Sequence, residues 1–421
     1  MDRRSFDVVV IGGGPSGLAA AISAEAAGAS VMLIDREHVL GGILKQCIHD
    51  GFGLQRFGKQ MSGPSYAQKF IDRIRETSVE IHLLSFVYDI SIMEDGSFKV
   101  LASSREGVMD IHASSVIVAT GCRERTSRQV GIHGDRLAGV FNAGCIQNLV
   151  NLMGVMPGRR CAVLGSGDIG LIMARRLTLE GAEVIGVFEA KRTPSGLQRN
   201  IRQCLDDFSI PLHLGCTVTR TIGDRRLEAI EIADTDDGMN PISSTVRVIP
   251  CDSLIVSVGL IPEIEILKEL PAKLDPRTKG PVVDQNGMTT VPGLFCCGNA
   301  SLVYDLVDYV SMASEQAGKA AAKHALSSDG KKHRTIELET EGKLMFVSPG
   351  IIDLSYPSAR LFFRSSEQLE DMRLEIVQND NVIMGQDYSE LRPPQMETLV
   401  MDTKSIDPSF PIVAVLKEKS R

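Results

Sequence analysis

Residues 6–35 have the sequence FDVVVIGGGPSGLAAAISAEAAGASVMLID. Phe6–Ile11 is a short apolar run rich in valine, which predicts a buried parallel strand. Leu18–Ala27 is rich in alanine and predicts a helix, and Ala29–Ile34 predicts a second buried strand. The stretch therefore predicts a strand–helix–strand unit with glycines in its first turn.

The first turn of this unit has the pattern G-x-G-x-x-G. Gly12 permits a tight turn, Gly14 lets the backbone approach a pyrophosphate, and Gly17 lets the helix pack on the strand. The start of the helix then offers free N–H groups to phosphates. Asp35 ends the second strand, where a carboxylate accepts hydrogen bonds from a ribose diol. Because strand, turn, helix and acid occur together, they predict a dinucleotide site rather than a glycine-rich turn of an unrelated fold.

A second unit of the same kind begins with the strand Cys161–Leu164, followed by the helix Leu171–Leu179 and the strand Glu183–Phe188. Its turn has the sequence GSGDIG. The nucleotide contacts predicted in this turn are Gly165, Gly167, Asp168, Ile169 and Gly170. Two such units predict two Rossmann-like dinucleotide-binding domains, which is an α/β fold.

The residue that ends the second unit indicates which nucleotide it prefers. Glu189 stands at the strand end, where a carboxylate favours the free 2′-hydroxyl of NAD(H) over the 2′-phosphate of NADP(H). Lys191 and Arg192 follow directly and suit a 2′-phosphate instead. NAD(H) is the preferred interpretation because the acid, and not the bases, holds the strand-end position.

The remaining strands give the order of the domains. Ser115–Gly121 and Ser253–Gly259 are apolar runs ending in glycine, and each is expected to return to its own sheet. Leu294–Cys297 predicts a strand that returns to the first domain, and the helix Val307–His324 follows it. We therefore expect a first domain of residues 1–125 and 253–328, interrupted by a second domain of residues 126–252.

The composition of the sequence changes at Ser327. Ser327–His333 is a polar stretch and predicts a linker. Leu361–Phe363 and Met372–Val377 predict strands, and Gln378–Asn381 predicts the turn after the second of them. Residues 334–421 are therefore expected to form a small, mainly antiparallel β domain.

Composition excludes several classes of protein. The 421 residues carry a net charge of -8, which argues against nucleic acid as a partner. No apolar run is long enough to span a membrane, and the start does not resemble a signal peptide. The nine cysteines are odd in number and form no C-x-x-C pair, so neither a disulfide framework nor a metal site is predicted. Reduced thiols in a cytoplasmic enzyme are the simplest interpretation.

The two fingerprints, the paired returning strands and the segment VPGLFCCGN at residues 291–299 resemble the pyridine nucleotide-disulfide oxidoreductase superfamily. The resemblance covers roughly Phe6–Leu326. It implies FAD in the first domain, NAD(P)H in the inserted domain, and a helix from Val307 whose N-terminus faces the flavin pyrimidine carbonyl. It also implies that Gly298 and Asn299 contact the flavin ribityl chain, although the family usually has aspartate where this chain has asparagine.

The contacts expected for FAD on this basis are Gly12, Gly14, Pro15, Ser16, Gly17, Asp35, Arg36, Gly41, Gly42, Thr120, Gly121, Gly298, Asn299, Asp308 and Tyr309. Gly259 joins the contacts expected for NAD. An acidic residue at a helix start is also ordinary capping, so two interpretations of Asp308 and its neighbour Asp305 stay open.

One departure from the family concerns its redox cysteines. Disulfide reductases have G-G-T-C-x-x-x-x-C after the first unit, but here Leu44 and His49 occupy the two cysteine positions and Cys47 lies between them. The C-terminal His-Glu pair of those enzymes is also missing, since no histidine follows His333. A dithiol relay is therefore not expected.

Four stretches are more similar to a subgroup without this disulfide: Gly41–Gly53, Gly121–Arg125, Gly139–Gln147 and Gly165–Gly181. The subgroup contains the flavin subunits of opine oxidase, hydrogen cyanide synthase and dye-linked proline dehydrogenase, and oxidoreductases encoded beside glycerol-3-phosphate dehydrogenase-like proteins. The likeness implies hydride transfer between NAD(H) and FAD, with electrons exchanged with a partner dehydrogenase subunit. Whether the assembly is a homo- or a hetero-oligomer stays open.

Two residues near the expected flavin position are candidates for catalysis. His49 is a candidate proton donor or acceptor at the flavin, because imidazole often has this role in catalysis, although a packing or surface role is the alternative. Cys47 is a candidate redox thiol, but a small buried apolar residue is the more natural interpretation because no resolving cysteine is adjacent. Cys296 and Cys297 are adjacent on a strand, so their side chains are expected on opposite faces.

Two other functions are also compatible with the sequence. A stand-alone NADH oxidase or thiol reductase would need Cys47 to act alone. A non-catalytic flavin-bearing scaffold or redox sensor would bind the nucleotides without steady turnover.

Overall fold

The computed structural model describes residues 2–327 and 334–419, and its contacts divide the chain into two compact units. The first unit is Met1–Cys122 with Pro262–Arg421, and the second is Arg123–Ile261. The linker predicted at Ser327–His333 lies, from residue 328 onward, outside the described residues.

The expected return to the first domain at residue 253 is wrong. Ser253–Val256 is a strand inside the sheet of the second unit, where it pairs with Val140–Asn142 on one side and with Arg160–Leu164 on the other. The chain returns at Pro262, and the second unit begins at Arg123 rather than at residue 126. The error arose because an apolar strand ending in glycine suits either sheet equally well.

The main sheet of the first unit contains parallel strands with buried valine and isoleucine side chains on both faces. In spatial order these strands are Glu80–His82, Val31–Ile34, Asp2–Ile11, Gly107–Val118 and Leu294–Cys296. Gly107–Val118 also pairs with a third strand, antiparallel to Phe98–Ser104, which pairs in turn with Phe86–Ile92. A short hairpin of Asp50–Phe52 and Met61–Ser62 lies outside this sheet.

Helices cover one face of this sheet. Val8 and Val10 face them, whereas Val9 and Ile11 face a separate core on the other side, as alternation along a strand requires. The helices of the first unit are Pro15–Ala26, Leu54–Phe57, Gly63–Ile74 and Val307–Leu326, with 3-10 turns at Gly42–Gln46, Glu265–Leu267 and Gly298–Ala300. The first and last helices cross closely, because a Cβ at Gly318 would lie 2.1 Å from the carbonyl oxygen of Ala20.

The second unit has a parallel sheet of its own. Its strands, in spatial order, are Val140–Asn142, Ser253–Val256, Arg160–Leu164, Glu183–Glu189 and Leu212–Leu214. A second sheet contains His133–Gly134, Cys216–Gly223, Leu227–Asp234 and Arg247–Pro250. The helices are Ala143–Asn151, Asp168–Leu179 and Gln198–Cys204, with 3-10 turns at Ser127–Val130, Asp206–Phe208 and Ser243–Thr245. Short strands at Cys122–Glu124 and Leu260–Pro262 stand where the chain passes from one unit to the other.

The C-terminal residues form two β-sheets around a separate apolar core. The larger sheet contains Ile351–Asp353, Thr335–Glu341, Ile412–Glu418, Leu369–Gln378 and Asn381–Leu391, and the smaller one contains Leu344–Ser348, Ser358–Ser365 and Glu397–Asp402. Alternation in Leu369–Gln378 buries Met372, Leu374 and Ile376. The α/β fold with two Rossmann-like units and a C-terminal β region is the predicted one. Within the described residues no helix is both long and apolar enough to cross a membrane.

Candidate nucleotide sites

The first glycine turn is held tightly by the backbone around it. Gly12 has φ +113°, its N–H donates to the carbonyl of Ile34 at 2.8 Å, and a Cβ there would lie 2.4 Å from the carbonyl oxygen of Ala119. A Cβ at Gly17 would lie 1.7 Å from the carbonyl oxygen of Gly12. The protein's own packing therefore requires glycine at both positions.

Gly14 is different, because the protein itself does not require glycine there. Its φ of -76° is ordinary for any residue, and a Cβ would meet nothing closer than the Cα of Gly42 at 3.8 Å. The helix that starts at Pro15 has no side-chain cap. Its first N–H groups and the space above Gly14 are therefore available together, which is the arrangement that a pyrophosphate needs.

Asp35 is held in place by the backbone on both sides. It is 8% exposed, and its Oδ2 accepts the N–H of Gly13 while its Oδ1 accepts the N–H of Glu37 at 2.8 Å. Each carboxylate oxygen keeps a second lone pair, so the side chain can still accept hydroxyl hydrogen bonds. Arg36, beside it, is exposed.

The glycine turn of the second unit repeats this construction. The N–H of Gly165 donates to the carbonyl of Phe188 at 2.7 Å, and a Cβ at Gly165 would lie 2.0 Å from the carbonyl oxygen of Ser257. A Cβ at Gly170 would lie 2.5 Å from the carbonyl oxygen of Gly165. Gly167 has φ -65°, and a Cβ there would meet nothing within 4 Å.

Glu189 is the counterpart of Asp35. It is 6% exposed, and its Oε2 accepts the N–H of Ser166 at 3.1 Å and the hydroxyl of Ser166 at 2.6 Å. Its Oε1 accepts the N–H of Lys191 at 3.1 Å. Ser166 was not singled out from the sequence, although its place in the turn is the place of Gly13 in the first unit.

Other predicted residues of the second unit have structural contacts. Asp168 Oδ1 accepts the N–H of Leu197 at 2.9 Å and the amide of Asn200 at 2.7 Å, so it holds the loop that follows the strand. Ile169 packs against the core of this unit. The carbonyl of Gly259 accepts the N–H of Arg125 at 3.1 Å.

The later segments of the first unit return to the first helix. A Cβ at Gly298 would lie 2.5 Å from the hydroxyl of Ser16, which itself lies 2.7 Å from the hydroxyl of Ser314. Asn299 Oδ1 accepts the N–H of Tyr304 at 3.1 Å.

Thr120 and Gly121 lie where the strand Gly107–Val118 ends. The hydroxyl of Thr120 donates to the carbonyl of Glu263 at 2.5 Å, and the carbonyl of Gly121 accepts the N–H of Glu263 at 2.9 Å. These residues therefore join the start of the second segment of the first unit to its first sheet.

The segment of residues 41–53 lies between the glycine turn and the last helix. The N–H of Gly41 donates to the carbonyl of Gly13 at 2.9 Å, and that of Gly53 donates to Asp308 Oδ2 at 3.2 Å. Asp308 is 2% exposed, and its Oδ1 has no hydrogen-bond partner in the described part of the chain. A buried carboxylate oxygen of this kind is a candidate acceptor for a ligand N–H or O–H.

The two candidate catalytic residues differ in their surroundings. The ring of His49 packs on Phe52, with centroids 5.1 Å apart, its Nδ1 lies 3.1 Å from the carbonyl of Asp50, and its buried Nε2 has no partner among the described residues. Cys47 is buried, and desolvation raises the pKa of its thiol to about 12. At neutral pH this thiol is protonated, which disfavours its role as a redox nucleophile.

All nine cysteines lie in the described residues, and none of them forms a disulfide. Cys296 and Cys297 belong to the cores on opposite faces of the first sheet, as expected from alternation along a strand. Among residues 2–327 and 334–419, no cluster of three or more His, Cys, Asp or Glu side chains forms a candidate metal site.

Two polar contacts were not predicted from the sequence. Arg56 forms an ion pair with Glu315, and its Nη1 lies 3.1 Å from Glu315 Oε2. Glu124 accepts the N–H of Gly144 at 2.9 Å at the start of a helix, and burial raises the pKa of its carboxyl. The partners are far apart in the sequence, so no short motif connects them.

Residues 6–327 match the family described as pyridine nucleotide-disulphide oxidoreductase, and the chain belongs to this family. The protein is an FAD-dependent pyridine nucleotide oxidoreductase that uses FAD and NAD(P)H. The glycine turns fit these nucleotides. The space beside Gly14 and Gly167 is not filled by the protein itself, and it adjoins helix starts that have no side-chain cap.

Three curated proteins are similar to the chain. Ferredoxin–NADP reductase of Picrophilus torridus is 25% identical over 71% of this chain and 87% of its own length. Hydrogen cyanide synthase subunit HcnB of Pseudomonas aeruginosa is 28% identical over 62% of this chain, and an opine oxidase subunit of Agrobacterium tumefaciens is 24% identical over 76%. The match spans only 58% and 65% of the lengths of these two subunits.

Solved structures share the fold. Thioredoxin reductase of T. acidophilum superposes with a TM-score of 0.61 at 23% identity, covering 77% of this chain and all of that one. This likeness concerns the fold alone.

Proposed function

We propose that the chain transfers hydride between NAD(H), held in the second unit, and FAD, held in the first. We further propose that it exchanges electrons with a partner substrate dehydrogenase of the glycerol-3-phosphate or the amino- or hydroxy-acid type. When bound, FAD supplies the hydride chemistry that no side chain of the chain provides. The residues of the chain bind, orient and shield the nucleotides.

The positions of the cysteines and the protonation of Cys47 support the proposal of a protein partner. Leu44 and His49 occupy the positions of a redox dithiol, and the buried thiol of Cys47 has its pKa raised to about 12. A route for electrons through a thiol is therefore disfavoured, which argues against a thiol reductase. Two similar proteins, of hydrogen cyanide synthase and of opine oxidase, are named as subunits, which supports a separate partner here. The absence of a disulfide among the nine cysteines, all of them in the described residues, supports the cytoplasmic setting that we propose for the complex.

The first experiment titrates the purified, FAD-loaded protein anaerobically with NADH and with NADPH. We expect NADH to bleach the visible absorbance of the flavin at lower concentration than NADPH. If neither nucleotide bleaches the flavin, hydride transfer is refuted and a non-catalytic flavin protein becomes the better description.

The preference for NAD(H) is tested by Glu189→Gln, which removes the charge and keeps the shape of the side chain. Charge-assisted hydrogen bonds are worth roughly 1.5–3 kcal/mol, so we expect the KM for NADH to rise about tenfold or more. The KM for NADPH should change much less, because a negative charge no longer faces its 2′-phosphate. Glu183→Gln, an exposed acid on the same strand, is the matched control. Equal loss for both nucleotides would contradict the assigned preference.

The partner is tested by isolating the complex from the native cell and supplying glycerol 3-phosphate, amino acids or hydroxy acids together with NAD⁺. We expect NADH formation by the complex and none by the isolated chain. Turnover of NADH by the isolated chain, with oxygen or a small disulfide as acceptor and at the rate of the complex, would instead establish a stand-alone oxidase or reductase.

A further inference from the structure

The loop of residues 299–306 connects two parts of the proposed flavin site. It begins at Asn299 and ends where the helix Val307–Leu326 begins, close to Asp308 and Tyr309. The family match ends at residue 327, so it does not account for the β region that follows. That β region nevertheless contacts this loop at several points, all of them within the first unit.

Polar contacts join the loop to the strand Ser358–Ser365 and to Met396, which directly precedes the strand Glu397–Asp402. Arg364, on Ser358–Ser365, forms an ion pair with Asp305, and the two side chains are 18% and 26% exposed. Arg364 Nη2 also lies 3.4 Å from the carbonyl of Val303. Asp305 Oδ2 accepts the N–H of Met396 at 2.6 Å. The carboxylate of Asp305 is therefore held from two directions.

Apolar contacts reinforce this connection. Leu302 of the loop is 2% exposed and shares a small core with Phe346, Phe362 and Met396 of the β region. The rings of Tyr304 and Phe362 meet edge to face, with centroids 5.1 Å apart at 90°. The ring of Tyr309, in the first turn of the helix, lies 5.6 Å from the same Phe362 ring.

We propose that the C-terminal β region is a clamp that holds the 299–306 loop in the conformation that binds FAD. Arg364 and Asp305 are its positioning residues. The inference rests on the proposed placement of FAD in the first unit. A loop that is already ordered before the ligand arrives loses less conformational freedom on binding, and this raises affinity without any new contact to the ligand.

The ion pair is partly shielded from water: its side chains are 18% and 26% exposed, although Asp305 as a whole residue is exposed. Exposed ion pairs contribute little, whereas removal of one partner from a buried pair leaves the other charge uncompensated. If removal leaves the loop in its binding conformation in one molecule of ten, the apparent dissociation constant for FAD rises about tenfold.

The test uses Arg364→Met, Asp305→Asn and the double variant, with FAD release from the diluted holoenzyme followed by flavin fluorescence. We expect about tenfold weaker FAD binding in each single variant and little further loss in the double variant. The visible circular dichroism of bound flavin should change as well, which a purely structural role in the β region would not cause. Lys343→Met is the matched control, because Lys343 and Glu367 form an ion pair of 2.7 Å in the same β region with both side chains 55% exposed.

Arg364→Lys keeps the charge and most of the packing, so it should fold even if Arg364→Met does not. We expect its FAD affinity to lie between those of the native protein and Arg364→Met. FAD affinity and flavin dichroism equal to native in all of these variants, even with a lowered thermal stability, would overturn the inference. If NADH fails to reduce the native flavin while the variants still lose FAD, the proposed hydride transfer fails and the clamp stands.

Discussion

The buried carboxyl of Asp284 should make the stability of the first unit depend on pH. This residue is 4% exposed, and its Oδ1 accepts the N–H groups of Asn286 and Met288 at 2.8 and 2.9 Å. Burial raises the pKa of its carboxyl from the ordinary 3.8 to about 6, and the nearby buried Asp353 acts in the same direction. The folded protein therefore holds this proton at a pH at which the unfolded chain has lost it.

The sign and size of the effect on stability follow from this difference. Well below the ordinary pKa of 3.8 the carboxyl is neutral in both states and carries no penalty. As the pH rises from about 4 to about 6, the unfolded chain ionises while the folded one stays protonated, so the free energy of unfolding falls, and it levels off above about pH 6. The difference between 3.8 and about 6, at about 1.36 kcal/mol per pH unit, gives a loss of about 3 kcal/mol above pH 7.

Asp284→Asn should remove this loss, because the amide oxygen still accepts both N–H groups while the charge is gone. For a chain of 421 residues the entropy of unfolding is roughly 0.9 kcal/mol/K, so the Tm should rise by about 3 °C at about pH 8. At about pH 4.5 only about a third of this loss is present, so the Tm of the variant should exceed that of the native protein by only about 1 °C. Thermal scans followed by circular dichroism at both pH values provide the measurement.

The matched control is Asp237→Asn, which makes the same change of charge on a fully exposed side chain. No comparable pH-dependent gain is expected there. If Asp284→Asn changes the Tm equally at both pH values, or lowers it at about pH 8, the raised pKa is refuted.

Two further predictions follow from the sites. Gly14→Ala should fold normally but retain FAD poorly, and Gly167→Ala should raise the KM for NADH while its flavin content stays native, because a Cβ at either position conflicts only with a bound nucleotide. Flavin content and steady-state kinetics measure these effects, and native FAD affinity in Gly14→Ala would place the pyrophosphate elsewhere. Cys47→Ala should leave the rate of flavin reduction by NADH within about twofold of native, because a thiol with a pKa of about 12 is protonated at neutral pH. A large loss of rate in the stably folded variant would restore Cys47 as a redox group.

Much of the fold could be predicted because its signals are local. A glycine turn, the strand before it and the acid after it are all set by neighbouring residues, and the structure has the strands and helices of both predicted units. The alternation that separates Cys296 from Cys297 is equally local. The boundary at residue 253 was wrong because strand partners, unlike strands, are chosen at long range.

The supporting contacts of the site could not be predicted for the same reason. Arg56 and Glu315 lie 259 residues apart in the sequence, and Asp305 and Arg364 lie 59 apart. No periodicity connects such pairs, because each is brought together only when separate elements pack. Ser166 could have been found by aligning the second glycine turn with the first, since its backbone N–H has the same role as that of Gly13.

The interrupted first sheet has a consequence for protein synthesis. Chains leave the ribosome from the N-terminus, and their domains fold as units. The second unit has all its strands once Ile261 has emerged, whereas the first sheet still lacks Leu294–Cys296. The inserted unit is therefore complete before the unit that surrounds it. On the proposed placement of the nucleotides, a nascent chain completes its nicotinamide site first, and it completes its flavin site only after Leu294–Cys296 and Val307–Leu326 have emerged.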